Sequence, residues 1–336
     1  MNTGSIDQRW FFRVDSNAIA NLPTAEQEEA YKTLLPLQDY AVQRFVNWFG
    51  TNENESQRIL VGPKGSGKTL WLEAKSYAAR RREAADRHRY PRSALYERIS
   101  GRLALKDAIS ERPTSWKSVD MWRDAWTLAL QLVAFDCAKL RTTLSDADGE
   151  SLARLFPGPQ AERDGNLEEV SASEYLVVVV RLFNDKAWRE QATTVQSKIL
   201  ERRLRNYAPP IDLYLDAPDE AVSSSAVSSN TEEEVTCRLE LQAGLLFAIR
   251  EVENIKFNLN VYATLRAEVY GAARKMELFQ QARTRCLPLI YEARQLESIF
   301  AKNCEAANEA LVGKSATSKI LKFFEDEKNM QTTNDI

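Results

Sequence analysis

Residues 62 to 69 read Gly-Pro-Lys-Gly-Ser-Gly-Lys-Thr, which fits the phosphate-cradling pattern G-x-x-x-x-G-K-[ST]. Each position answers a physical demand. Gly62, Gly65 and Gly67 let the backbone wrap tightly, so that successive N–H groups from about Lys64 to Thr69 converge on one anion. Pro63 and Ser66 complete the loop. A helix opening at its end aims a positive pole at the phosphates. The Lys68 ammonium can reach the outer phosphates, and the Thr69 hydroxyl suits a Mg²⁺ ligand. The apolar run Ile59-Leu60-Val61 predicts a strand before the loop, and residues 69 to about 82 predict a helix after it.

Such a site needs a carboxylate for the Mg²⁺ shell and another group to orient or deprotonate water. Asp216 ends the apolar strand Ile211-Asp212-Leu213-Tyr214-Leu215-Asp216, a natural station for the first role. Alternation puts Asp212 on the same face but at the opposite end, which reads as a solvated or structural acid. Ala217 and Pro218 follow, then Asp219 and Glu220. One of these two acids supplies the base, or turnover is slow; the competing reading is a solvent-exposed turn before the Ser-rich loop 221–230. A third strand over 257–263 runs on into Thr264-Leu265-Arg266. A guanidinium at that strand end can make bidentate bonds to γ-phosphate oxygens, or it can pair with Glu268 at the surface.

The elements that must position these groups follow from periodicity. A helix is expected at 40–49, closed by Gly50, and a strand near 94–99. A long helix with Trp122, Trp126 and Leu130 packed in the core spans about 119–140, and 145–166 reads as a loop with one short helix. Ser171-Ala172-Ser173-Glu174 has the form of a capping box, which assigns the apolar run Tyr175–Val180 to a helix although a buried strand fits the periodicity almost as well. A helix at 190–206 ends at Pro209-Pro210, a second capping box at Thr231–Glu234 opens a helix to about Val252, and 287–291 suggests a fourth strand. Strands alternating with helices predict an α/β fold on a largely parallel sheet.

Composition narrows the class. The chain has 336 residues, 44% apolar and 28% charged, with a net charge of −3, so no global charge excess advertises nucleic acid or an anionic membrane. No apolar run approaches the roughly 18 residues of a spanning helix, and no secretory leader is evident, so a cytoplasmic protein without a membrane partner is expected. Cys137, Cys237, Cys286 and Cys304 are dispersed, and His88 is the single histidine. Zinc clusters and Ser–His or Cys–His catalysis are therefore not expected. From Lys75 to Arg92 there are seven basic residues against two acids, while 216–234 holds six acids and no Lys or Arg. The basic run is a solvated helix face or a grip on nucleic-acid phosphates, and the two patches together could also help subunits assemble.

Taken together, Gly62–Thr69, Asp216-Ala217-Pro218-Asp219-Glu220 and Thr264-Leu265-Arg266 resemble the STAND and NACHT-like branch of P-loop ATPases, relatives of AAA+ proteins, over about residues 34–300. The resemblance implies a P-loop NTPase three-layer α/β fold with a mostly parallel central sheet. It implies an N-terminal segment 1–33, a helical insertion at about 100–205, and a short helical C-terminal segment 301–336 with a disordered tail. It implies ATP and Mg²⁺ as ligands, with Thr69 and Asp216 at the metal, Asp219 or Glu220 at the water and Arg266 as γ-phosphate sensor. No Gly-x-Pro lid motif is found downstream. The arrangement is also similar to ATPase subunits of bacterial anti-phage defence systems, which implies a homo-oligomer, a ring among its forms, with a protein effector. Arg274, Arg283 and Arg285 are then candidates for an arginine finger toward a neighbouring subunit's nucleotide, against the commoner reading of each as a solvated surface charge.

Three functions compete at this stage. The first is an ATPase whose cycle drives oligomer assembly or conformational signalling to an effector. The second is a nucleotide-dependent scaffold or switch with little turnover, kept open by Ala217. The third is an AAA+-type nucleic-acid motor or loader, which needs nucleic-acid binding through the 80–92 stretch. A small-molecule kinase ranks fourth, because no second substrate site is evident. No N-K-x-D guanine-reading motif is present, which favours ATP.

Overall fold

The computed structural model describes residues 57–63, 66–69, 71–73, 75–76, 79, 93–99, 108, 118–156, 171–183, 185–207, 209–216, 232–255, 258–276 and 279–289. Chain contacts group 52–289 as one unit and 1–51 with 290–336 as another. The whole second unit lies outside the described residues, and with it the expected segment 1–33, the helix at 40–49 and the segment 301–336.

Five strands form one sheet: β1 (Ile59–Gly62), β2 (Ser93–Arg98), β3 (Ile211–Asp216), β4 (Leu259–Arg266) and β5 (Cys286–Pro288). Their order is β2-β3-β4-β1-β5 and every pairing is parallel, so the expected α/β class with a parallel sheet is observed. The order has a consequence. From β1 the chain crosses β4 and β3 to reach β2, whereas the later connections run the other way. Right-handed crossovers therefore send the segments after β1 and after β4 to opposite faces. A crevice opens where they diverge, at the adjoining carboxyl ends of β1 and β4.

Side chains alternate between those faces. Ile211, Leu213 and Leu215 of β3 join Leu259, Val261, Ala263 and Leu265 of β4 in one apolar core with Ile59 and Val61. The opposite face carries a polar ladder. There Asn260 Nδ2 donates to Asp212 Oδ1 at 2.7 Å, Tyr214 stacks on Tyr262 with centroids 5.0 Å apart, and the Thr264 hydroxyl donates to Asp216 Oδ1 at 2.9 Å. Asp212, expected to be solvated or structural, is buried and structural. Lys75, on the helix that follows β1, sets its ammonium 4.7 Å from the Tyr262 ring centre, so that helix covers the polar face.

The helices are α1 (Val119–Cys137), α2 (Asp146–Leu155), α3 (Ala172–Leu182), α4 (Lys186–Val195), α5 (Arg202–Arg205), α6 (Glu232–Asn254), α7 (Ala267–Ala273) and α8 (Phe279–Ala282). Ser118 caps α1 by accepting from the Met121 N–H at 3.3 Å. α1 and α6 pack intimately, since a Cβ on Gly244 would come within 2.4 Å of Trp122 Cβ and 2.8 Å of its backbone carbon. Trp126 Nε1 also donates to Leu241 O at 3.0 Å, tying the indole to the same helix.

The Ser171 cap is present, with the Glu174 N–H donating to its hydroxyl at 3.3 Å, and the valine run is helical. The region 145–166, expected as a loop with one short helix, opens with the ten-residue α2 capped by Ser145, and 157–166 lie outside the described residues. A π-helical turn, Gln196–Glu201, links α4 to α5, and Gln196 Nε2 donates to the buried Gln131 Oε1 at 2.9 Å. Thr231 and the Ser-rich loop lie outside the described residues. Among the described residues, no helix is long and apolar enough to cross a membrane.

Candidate functional site

The sequence Gly62–Thr69 lies at the carboxyl end of β1, beside the crevice. Gly62 is buried, and an added Cβ would sit 2.5 Å from Ser66 Oγ and 3.3 Å from Leu289 Cβ, so the strand-to-loop corner admits hydrogen alone. The chain then turns back on itself. Ser66 donates to Pro63 O twice, from its N–H at 3.3 Å and its hydroxyl at 2.9 Å. Gly67 takes φ 81°, a left-handed conformation that costs glycine little and other residues more. Its carbonyl accepts from the Trp71 N–H at 3.1 Å, the first bond of the helix that begins at Lys68 and Thr69. Lys64 and Gly65 lie outside the described residues.

Lys68 reaches back over its own loop. Its Nζ donates to Gly62 O at 2.9 Å and Pro63 O at 2.8 Å, so the ammonium stands over the first turn of the loop. Carbonyl oxygens are acceptors that an ammonium can exchange for phosphate oxygens. Thr69, the next residue, is half-buried in the first turn of the helix.

Asp216 is the last residue of β3 and is 1% exposed. The Thr264 hydroxyl fixes its Oδ1 from the neighbouring strand, and its carbonyl accepts from the Ile99 N–H at 3.0 Å. Thr264 itself pairs with Leu60 of β1. With strands about 4.8 Å apart and residues about 3.3 Å apart, the Asp216 and Gly62 Cα atoms stand roughly 12 Å from each other along one sheet edge. Asp219 and Glu220 lie outside the described residues.

Arg266 closes β4 and lies in register with Gly62, so the strand-end arginine and the loop share a strand boundary. It is half-buried and caps α7 in an extended conformation. Its N–H donates to Gln242 Oε1 at 3.2 Å. Of the other arginines, Arg274 and Arg283 are exposed. Arg285 stands just before β5, at the amino edge of the sheet, where its Nε forms an ion pair with Glu253 Oε2 at 2.7 Å. Lys75 leaves the basic run for the polar face of the sheet, and residues 80–92 lie outside the described residues.

Two features had no counterpart in the sequence reading. Gln242 is fully buried within the otherwise apolar stretch Leu241–Ile249, and a lone amide in such a run is the signal that marks it. Glu97 of β2 is buried at the start of α3. It accepts from Ser171 Oγ at 2.7 Å, from the Ala172 N–H at 2.5 Å and from the Ser173 N–H at 3.1 Å, and also from Ser173 Oγ. Its carboxylate thus replaces an external anion at that helix end. The Cys137 and Cys286 thiols stay protonated at neutral pH. Burial pushes Cys137 up to about 12, assisted by the Asp136 and Glu97 charges, and burial alone pushes Cys286 up to about 12. Cys137, Cys237 and Cys286 are not in disulfides, while Cys304 and His88 lie outside the described residues.

Comparison with protein-family models, with curated proteins and with solved structures finds no match to this chain.

Proposed function

We propose that this chain binds ATP with Mg²⁺ at the carboxyl edge of the sheet and hydrolyses it, as a P-loop NTPase of three-layer α/β architecture. In this reading the cycle drives oligomer assembly or conformational signalling to a protein effector. The observation that carries the reading is a conjunction. A Gly-rich loop with a lysine over its own carbonyls ends β1, and a buried, hydroxyl-oriented carboxylate ends β3 on the same sheet edge.

Each group then has work to do. Lys68 exchanges the Gly62 and Pro63 carbonyls for β- and γ-phosphate oxygens, gaining charge-assisted bonds. Loop N–H groups and the following helix end receive the remaining phosphate charge. Thr264 holds the Asp216 carboxylate in one orientation, which spares that ordering when ligand arrives. The Thr69 hydroxyl and the Asp216 carboxylate are hard oxygen donors of the kind Mg²⁺ takes, so the residues present fit the ion. Held by Thr69 and Asp216, the ion would supply positive charge against the negative charge that develops on the phosphates during transfer. Asp219 or Glu220 orients the attacking water and accepts its proton as the bond to the leaving ADP breaks. Arg266 reads the γ-phosphate and loses those bonds on hydrolysis.

Ala217, directly after Asp216, favours one alternative: a switch that binds ATP and turns it over little. Phosphate release and nucleotide affinity, measured on the full chain, separate the readings. Wild-type turnover lost in Lys68→Ala and Asp216→Ala supports the hydrolase. Tight ATP binding with ATP-dependent assembly and no phosphate release selects the switch. Absence of nucleotide binding removes both.

A further inference from the structure

We infer that Gln242 is a positioning residue for Arg266, setting the strand-end arginine against the γ-phosphate and thereby the preference for ATP over ADP. The inference rests on the nucleotide-binding reading above and assigns a residue that its motifs do not contain.

The geometry begins with burial. Gln242 is 0% exposed, and its neighbours Leu241, Ala243, Leu245 and Leu246 are all apolar and buried. A buried amide is destabilising unless its polar atoms are bonded. Gln242 satisfies both: Nε2 donates to Arg238 O at 3.3 Å, and Oε1 accepts the Arg266 N–H at 3.2 Å. The second bond crosses from α6 to the exact junction where β4 ends and α7 begins. At that junction the Arg266 backbone is extended, with φ −76° and ψ 146°, and the next residue is helical.

Arg266 is therefore gripped from two sides. β1 pairs with it through Gly62, the first residue of the loop. α6 holds its N–H through Gln242. The grip is stiff because α6 itself has little room to move: two residues further on, Gly244 lies against Trp122 with no space for a methyl group. The same helix starts at Glu232, downstream of Asp216 and the acids at 219 and 220. Gln242 thus links the helix that follows the acidic strand end to the arginine at the next strand end.

Loss of one neutral hydrogen bond corresponds to about a fivefold change in an equilibrium. The test titrates a non-hydrolysable ATP analogue and ADP, each with Mg²⁺, into the full chain, with a thermal melt to check folding. Wild type should prefer the analogue, and Arg266→Ala should lose that preference. Gln242→Met, which keeps length and volume, should lower the preference about fivefold while leaving ADP affinity unchanged. In the Arg266→Ala background, Gln242→Met should add nothing. Gln242→Glu retains the acceptor oxygen and should retain the preference.

Equal weakening of both nucleotides in Gln242→Met, or a further loss in the Arg266→Ala background, marks a merely structural amide and overturns the inference while nucleotide binding stands. The same holds if wild type binds both nucleotides equally. Binding of neither nucleotide to wild type overturns the functional reading and the inference with it. Should Gln242→Met fail to fold, Gln242→Glu decides: a retained preference supports the role, and a loss equal to that in Arg266→Ala refutes it.

Discussion

The two edges of the sheet are built on different principles. At the amino edge, Glu253 near the end of α6 takes Arg58 Nη1 at 3.2 Å and Arg285 Nε at 2.7 Å, joining the residues that precede β1 and β5. Arg58 also donates to Leu259 O at 3.3 Å, so the start of β4 is tied in as well. Charges there meet charges of the same molecule. At the carboxyl edge, Lys68 sits on carbonyl oxygens, Asp216 accepts a hydroxyl, and the Arg266 backbone meets an amide. In the proposed reading phosphate oxygens replace the Lys68 carbonyls, while Thr264 and Gln242 hold the other two groups in place. One edge is then a clamp and the other a receptacle. α6 serves both, with Gln242 at one end of β4 and Glu253 toward the other, about 16 Å apart along the helix at 1.5 Å per residue.

The comparison can be broken in order of effect. Lys68→Ala should lower ATP turnover at least 100-fold, about 2.7 kcal/mol in barrier, with the melting temperature nearly unchanged. A large fall in stability instead would make the loop a structural element. Gly244→Ala forces α6 off α1 and should cost about 2 kcal/mol, seen as a melting temperature lower by roughly 5 °C. Because α6 reaches both edges, turnover should fall too; unchanged activity would uncouple the helix from the receptacle. Thr264→Val removes the hydroxyl from Asp216 and should reduce turnover about tenfold, the scale of a bond to a charged group. Its effect should vanish in an Asp216→Ala background.

Glu253→Gln at the clamp should alter turnover little and stability by less than about 1 kcal/mol at neutral pH. Burial raises the Glu253 carboxyl above its ordinary 4.5, outweighing Arg58, Arg285 and Arg250. The folded protein therefore binds more protons at this site than the unfolded chain in the window from 4.5 up to the raised value, and wild-type stability declines as pH climbs through it. Glu253→Gln lacks that decline, so its melting temperature should gain on wild type from the acid side toward neutrality. A constant difference across that range would show that the carboxyl titrates normally.

Much of the carboxyl edge was legible because its signals are local. The loop from Gly62 carries its own geometry, IDLYLD is a strand by composition and alternation, and Ser171 declares a helix where the valines alone leave a choice. Boundaries were less legible. The third strand runs from Leu259 to the expected end at Arg266, with residue 257 outside the described residues, and the last begins at Cys286 rather than 287 and ends at Pro288. Those limits are set by pairing, Leu259 with Ile211 of β3 and both Arg266 and Cys286–Pro288 with β1, which no local pattern encodes.

Gln242 and Glu97 were missed for a related reason. Each is a polar residue whose partner lies 24 or more positions away, Arg266 for one and Ser171 to Ser173 for the other. Arg285, read as a surface charge or as a finger toward a neighbouring subunit's nucleotide, stands at the amino edge before β5, where its side chain pairs with Glu253.

A structure of the full chain with a non-hydrolysable ATP analogue and Mg²⁺ tests the central claim most directly. The account predicts Lys68 Nζ moved from the Gly62 and Pro63 carbonyls onto phosphate oxygens, with the Asp216 carboxylate in the water shell of a Mg²⁺ bound by Thr69. Phosphates seated away from the carboxyl ends of β1 and β3, or Lys68 still bonded to its own loop beside a bound nucleotide, would contradict it.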